Sequence, residues 1–395
     1  MIEDYKYLFL DMDAFFASVE QQENKQWRAR AVAIVHHNGP SGSIIAQSYQ
    51  AKRKGIYTGQ RVGDAKKLLP GLVVASSRLN LYSHYHKKIR RILDDFSPWV
   101  TPYSIDEFSV LLAPKERSTN RAKDIALNIK KSIKEKVGEY VTGSIGIAPN
   151  VFLSKTASKI KKPDGLFVIR KEEIKETFTE IKDITFLCGI NKATAFQLAT
   201  AGIKTPLDLW SAGAERLRAV MGQAGERWYL NLHGYDIKKT EGGAKSVGHS
   251  RVLAPKQRNR KGAREALVEL SINVARRLRA CNLEAQKIEV SIKNSGTNTR
   301  GILSHAHERI TPSNRQATIT AIAVKLLEKC AHNSPYHVAI SSSSLTYCKN
   351  STQLSLIENK NQHAIDKIID SINKKFGDGA LNVYNFPRKS KEKND

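Results

Sequence analysis

Two acidic clusters carry the chemistry of this 395-residue chain. One is Leu10-Asp11-Met12-Asp13 and the other is Ser104-Ile105-Asp106-Glu107. Each abuts apolar, strand-like residues, where carboxylates are costly unless a cation or hydrogen bonds offset their charge. Two Mg²⁺ ions shared between Asp11, Asp106, Glu107 and a triphosphate would supply that cation and support in-line phosphoryl transfer. Taken singly, each acid reads better as a helix cap or an ion-pair member; the full constellation does not. Asp106 and Glu107 are adjacent, so on a regular strand they would face opposite sides. Both can reach one site only from a strand end or a turn.

Two basic segments could meet the phosphates. Ser48-Tyr49-Gln50-Ala51-Lys52-Arg53-Lys54-Gly55 puts a hydroxyl and several cations on one short helix. Gly146-Ile147-Ala148-Pro149-Asn150 leads through Lys155 and Lys159 to Lys162-Pro163-Asp164-Gly165, a strand, a lysine-bearing helix and a closing turn. Alone, either segment also reads as a solvated basic helix face.

Apolar patterning supplies the elements that must hold these residues. Tyr7 to Met12 reads as a buried strand. The following helix covers Ala14 to Gln22 with Asp13 as its N-cap. Strands are expected at Ala31 to Val35, Ile44 to Ala46, Phe108 to Leu112 and Val141 to Ile147, and helices at Leu81 to Phe96 and Ala122 to Lys136. This mixture over the first ~165 residues suggests an α+β or split βαβ core. From Ile184 the texture becomes short helices with Gly turns. Cys188-Gly189-Ile190-Asn191, Ala195 to Leu198 and Ala201-Gly202-Ile203 have the pattern of a helix-hairpin-helix. A polar, Gly- and Lys-containing stretch follows, a linker candidate. Beyond it lie a helix (Arg264 to Arg279), strands at Lys287 to Ile292 and His337 to Ser341, and a charged tail.

Composition narrows the partners. Lys plus Arg number 64 against 38 Asp plus Glu, a formal net charge of +26, which favours a polyanion: nucleic acid or an anionic membrane surface. Cys188, Cys281, Cys330 and Cys348 form no CxxC pair, so neither a zinc ribbon nor a disulfide framework is indicated. No apolar run approaches the ~18 residues of a membrane span. The N-terminus is acidic where a signal peptide would be basic, so the cytoplasm is the expected compartment.

At this point the chain resembles the Y-family, translesion DNA polymerases of the DinB/UmuC kind. The resemblance spans about residues 5 to 345. It rests on Leu10 to Glu20 (LDMDAFFASVE), Tyr103 to Phe108 (YSIDEF), Ser144 to Ala148 (SIGIA) and Lys162 to Gly165 (KPDG) in order. It implies an α+β multidomain right hand: a ferredoxin-like palm (1–20 and 80–166), small fingers (21–79), a helix-hairpin-helix thumb (167–235), a linker (236–247), an α+β little finger (248–347) and a tail (348–395). It implies primer-template DNA and a dNTP as substrates, and two Mg²⁺ ions, with Mn²⁺ as a substitute.

The resemblance also assigns residues. Asp11, Asp106 and Glu107 match the metal ligands, and Met12 contributes its backbone carbonyl. Asp13 matches a supporting acid. Phe15 and Phe16 line the nucleotide, with Phe16 at the steric-gate position that blocks a ribose 2′-OH. Tyr49 and Lys162 match triphosphate contacts. The family's Arg three residues after that Tyr is replaced by Lys52, followed by Arg53, so either cation could take its place. Asn150-Val151-Phe152 also lacks the usual Lys after Asn.

Gly189 and Lys192 fall in the thumb hairpin, where backbone N–H groups bind phosphate without reading bases. Lys245 and Arg251 fall in a segment, 238–300, with fifteen Lys or Arg against five Glu, as expected of a clamp on duplex phosphates. Thr352 to Ile357 resembles a bacterial sliding-clamp peptide anchored by Gln353, Leu354 and Leu356. SOS accessory subunits are a further expected class of partner. Two other readings stand beside the polymerase: a non-catalytic, clamp-recruited DNA-binding scaffold, and a nucleotidyl cyclase with a related palm-like core.

Overall fold

A computed structural model describes residues 5–237, 244–294, 303–330, 334–348, 361–376 and 381. The chain forms two compact units, Met1–Lys239 and Thr240–Asp395. The first runs β1 (Tyr7–Met12), α1 (Phe15–Glu23), β2 (Val32–Val35), β3 (Ile44–Gln47), α2 (Tyr49–Lys52), α3 (Val62–Leu68), β4 (Val73–Ser76), α4 (Leu79–Asp94), β5 (Val100–Pro102) and β6 (Glu107–Leu111). It continues α5 (Thr119–Lys136), β7 (Gly143–Ala148), α6 (Val151–Ile160), β8 (Leu166–Val168) and α7 (Ile174–Glu180). It ends in α8 (Lys192–Thr200), α9 (Pro206–Ser211), α10 (Ala214–Met221) and α11 (Gln223–Leu232).

A five-stranded sheet, order β5-β6-β1-β7-β8, is the frame of the first unit. β1 lies between β6 and β7, antiparallel to both, and Leu8 to Met12 are buried. Helices make the strand inaccessible on both faces, which is why its sequence is a continuous apolar run rather than an alternating one. α5 turns Ala122, Ala126, Ile129 and Ile133 inward at helical spacing. α6 lies directly on β7: a Cβ at Gly146 would stand 2.0 Å from the Ser154 carbonyl oxygen, so a glycine is needed there. Phe108 on β6 is fully buried in this core, where truncation to Ala would cost about 3–5 kcal/mol. A separate three-stranded sheet, β3-β2-β4, has its own small core around Val35, Ile44 and Val62. The helices α7 to α11 pack around Phe178, Leu198 and Leu217.

The second unit runs β9 (Ser246–Val252), α12 (Arg260–Ala280), β10 (Leu283–Asn294), β11 (Leu303–Ser313), α13 (Gln316–Glu328), β12 (Pro335–Tyr347) and α14 (Asn361–Phe376). α12 and α13 pack against a four-stranded sheet, order β11-β10-β12-β9. On β10, Ile288, Val290 and Ile292 alternate into the core.

Three sequence expectations are corrected. Asp13 does not cap α1; Ala14 occupies the cap position, at φ 49 and ψ 43, with no side-chain cap bond. The first helix of the expected hairpin at Cys188 is only a 3₁₀ turn, Ile184–Phe186. The segment read as a tail contains α14, which the second unit holds: Arg279 donates to Asp370 at 2.7 and 2.9 Å and lies 3.6 Å from Asp366. Its apolar Ile365, Ile368, Ile369 and Ile372 follow helical spacing, a signal the charged flanks obscured. Gln353, Leu354 and Leu356 lie outside the described residues.

Candidate active site

Strand pairing assembles the acids. β1 and β6 pair so that Asp11 stands opposite Glu107 and Leu10 opposite Phe108. Side chains opposite each other on an antiparallel pair have Cβ atoms about 4.5–5.5 Å apart. Asp106 occupies the turn just before β6, and its carbonyl accepts a hydrogen bond from the Met12 amide at 2.9 Å. Asp106 and Glu107 both stand near enough to act electrostatically on Asp11, because the first is in a turn and the second opens a strand.

Each acid has a partner. Lys162 Nζ donates to Asp11 Oδ1 at 2.5 Å, and Lys155 Nζ donates to Glu107 Oε2 at 2.7 Å. The Asp106 carboxylate accepts from Ser104 Oγ at 2.5 Å. Accordingly, no three metal-binding side chains already meet at one point among the described residues. The donor set still fits a hard divalent cation, being all oxygen. Burial pushes the Asp11 carboxyl above its ordinary pKa despite the pull of Lys162, and Glu107 and Asp106 raise it further. That mutual repulsion is what a bound cation would relieve, with both lysines released.

Asp13 plays a different part. It is 1% exposed and accepts from Ser144 Oγ at 3.0 Å, Thr142 Oγ1 at 3.2 Å and the Asp164 amide at 2.7 Å. Its lone pairs therefore tie β1, β7 and the Lys162-Pro163-Asp164-Gly165 turn together. Lys162 Nζ also stands 3.7 Å from it.

A cleft of about 250 Å³ opens beside the acids, lined by Asp11, Met12, Phe15, Phe16, Lys52, Asp106 and Lys162 among others. The Phe16 ring stacks on Tyr82 at 4.2 Å, whereas Phe15 is buried in the core behind it. Ser48 caps α2 by accepting from the Ala51 amide, which directs Tyr49 and Lys52 toward the acids. Burial and the Asp13 and Asp11 carboxylates push the Tyr49 hydroxyl pKa up. The Lys52 ammonium lies 4.4 Å from the Tyr49 ring centroid, and desolvation and then Lys162 lower its pKa. Of the two cations left open by the sequence, Lys52 lines the cleft; Arg53 is the exposed C-cap of α2 and does not.

The remaining expected contacts lie elsewhere. Gly189, at φ 85, and Lys192 form an exposed hairpin whose Asn191 caps α8 by accepting from the Thr194 amide at 2.9 Å. Lys245 is exposed before β9. Arg251 is exposed, stands opposite Val338 on β12 and pairs with the exposed Glu269 of α12. Sequence reasoning missed Lys155 as the partner of Glu107, and it missed Tyr82 and His86 beneath the site. The i, i+4 spacing of the last two on α4 was the available signal.

Comparison with known proteins identifies the family of the chain. The profile of the impB/mucB/samB family matches residues 10–159, and that of the impB/mucB/samB family C-terminal domain matches 244–356. DNA polymerase IV of Pseudomonas aeruginosa strain UCBPP-PA14 is 33% identical over 236 residues, 60% of this chain and 67% of that protein. DNA polymerase IV of Desulfatibacillum aliphaticivorans is 31% identical over 288 residues, 72% of each chain. DNA polymerase IV of Oceanobacillus iheyensis is 27% identical over 99% of this chain and 94% of its own. Among solved structures, the "Y-family DNA polymerase chimera Dbh-Dpo4(243-245)-Dbh" shares the fold, with a TM-score of 0.72 at 23% identity, over 86% of this chain and 99% of that one. The chain therefore belongs to the impB/mucB/samB family of Y-family, DinB/UmuC-like polymerases and is a DNA-directed DNA polymerase.

Proposed function

We propose that this polymerase is of the error-prone, translesion type and adds dNMP to a primer 3′-OH by two-metal phosphoryl transfer. The observation that carries this reading is the register of Asp11 opposite Glu107, with Asp106 in the preceding turn and the Lys52–Lys162 cleft beside them. Asp11, Asp106, Glu107 and the Met12 carbonyl would hold the two Mg²⁺ ions, which when bound acidify the primer hydroxyl and offset charge on the pyrophosphate. Lys162 leaves Asp11 for the triphosphate, Lys52 and the Tyr49 hydroxyl add further contacts, and Phe16 closes the space a ribose 2′-OH would need. Lysine is a point charge and cannot grip phosphate bidentately as arginine does, so triphosphate binding through Lys52 is weaker than through a guanidinium.

The sheet bearing the acids is the palm, within 1–20 and 80–166. Residues 21–79 are the fingers, 167–235 the thumb, 236–247 the linker and 248–347 the little finger, to whose unit α14 also belongs. Contacts to the backbone of primer-template DNA fall to the exposed Gly189–Lys192 hairpin in the first unit and, taken separately, to Lys245 and Arg251 in the second. Bypass of damaged templates, a sliding clamp, SOS accessory subunits and a cytoplasmic site of action complete the reading. Among the described residues no helix is long and apolar enough to cross a membrane. The test is primer extension on undamaged and abasic templates with Mg²⁺. The wild-type chain should extend on both, and Asp106→Ala with Glu107→Ala on neither. Wild-type rates from the double variant would sink the catalytic assignment.

A further inference from the structure

The catalytic turn and the Phe16 ring are both supported from one helix that carries none of the residues assigned to chemistry. Arg78, at the N-cap of α4, and Tyr82 and His86 within it fall at i, i+4 and i+8, hence on one face. Tyr82 is fully buried, stacks on Phe16 at 4.2 Å with 13° between planes, and donates its hydroxyl to Glu20 Oε1 at 2.9 Å. Arg78 grips the same carboxylate with two hydrogen bonds, 2.9 Å to Oε1 and 2.5 Å to Oε2. Glu20 is 1% exposed and lies one turn beyond Phe16 on α1. Two successive turns of α1 are thus pinned to α4, one by ring stacking and one by a bidentate charged contact. The Phe16 ring is left little freedom to tilt away from the cleft.

One turn further along α4, His86 meets the other half of the site. Its Nδ1 lies 2.9 Å from the Ile105 carbonyl oxygen. A carbonyl only accepts, so Nδ1 carries the proton and donates. The same ring stacks on Phe108 at 4.8 Å. The next carbonyl, that of Asp106, accepts from the Met12 amide of β1 at 2.9 Å. Consecutive carbonyls of the acid-bearing turn are therefore anchored to two different elements.

We propose that Arg78, Tyr82 and His86 form a positioning spine with two separable outputs. Tyr82, fixed through Glu20 and Arg78, sets sugar discrimination by holding Phe16. His86 sets the chemical rate by holding the turn that presents Asp106 and Glu107. The inference rests on the roles proposed above for Phe16 and the acids.

The experiment measures single-nucleotide primer extension with a dNTP and the matching rNTP, alongside melting temperature, for Phe16→Ala, Tyr82→Phe, Arg78→Ala, His86→Ala and His86→Asn. Tyr82→Phe removes one oxygen and keeps the ring, so it tests the spine without threatening the core. Tyr82→Phe and Arg78→Ala should each relax the deoxy-over-ribo preference by about 3–10-fold, with a smaller change in dNTP kcat. His86→Ala should lower kcat by about 10–100-fold at similar KM and similar sugar preference. His86→Asn, whose amide can donate where Nδ1 does, should recover most of that rate. An unchanged sugar preference in Phe16→Ala refutes the gate reading itself. A relaxed preference in Phe16→Ala with none in Tyr82→Phe or Arg78→Ala refutes the spine alone. His86→Asn as slow as His86→Ala, or His86→Ala as fast as wild type, refutes the His86 output.

Discussion

Replacing Asp13 by Asn separates a supporting carboxylate from a metal ligand. Asp13 accepts from two hydroxyls and the Asp164 amide while almost wholly buried. An amide of the same shape has one accepting oxygen and turns two donors toward donors. The hydroxyls of Ser144 and Thr142 can rotate, but the Asp164 N–H cannot. A buried donor left unsatisfied costs about 1–3 kcal/mol, and a lost hydrogen bond to a charged group is worth ~1.5–3 kcal/mol. Allowing for overlap, the loss should be about 2–4 kcal/mol, or a fall of roughly 5–15 °C in melting temperature for a unit of this size. The Lys162 turn loses its anchor, so KM for dNTP should rise. Mn²⁺ affinity of the DNA-free protein, read by electron paramagnetic resonance, should stay close to wild type. Weak Mn²⁺ binding with an unchanged melting temperature would refute the argument and make Asp13 a ligand.

Two further outcomes follow from the same cleft. Because burial holds the Asp11 carboxyl above its ordinary pKa, the folded state binds that proton more tightly than the unfolded chain does. Metal-free stability is therefore lost as pH rises from the unfolded pKa to the raised folded one, and stays lost above it. Asp11→Asn removes that loss. In chelator it should melt higher than wild type at neutral pH and no higher at about pH 3, while catalysing nothing; equal melting curves at neutral pH would contradict it. Lys52→Arg places a bidentate donor where a point charge stands, and should lower KM for dNTP by about 3–10-fold. An unchanged KM in steady-state kinetics would show that Lys52 does not meet the triphosphate.

Much of the first unit was legible because its elements are apolar and regular. β1, β2, β3 and α5 lie within a few residues of where apolar patterning puts them. β11 was not legible: His305, His307, Glu308 and Arg309 give it a polar run, and it is a strand because β10 supplies the ladder. α1 was placed well but its cap was not, since an Asp before a helix reads as a cap whenever its tertiary partners are unknown. The sequence also offered Lys52 and Arg53 as equivalent cations; the winding of α2 directs the first into the cleft and leaves the second in solvent.

The amino-acid sequence by itself determined which groups are available: three carboxylates suited to a hard cation, two lysine-bearing segments, an aromatic pair after Asp13 and a strongly basic surface. Side-chain chemistry is local, so these are readable residue by residue. Only the tertiary structure decided which of them meet. The antiparallel register puts Asp11 opposite Glu107, although 96 positions separate them in the numbering. The packing of α4 under α1 and the catalytic turn brings Arg78, Tyr82 and His86 to the site. Register and helix packing are set by the burial of whole faces, a property of many residues at once.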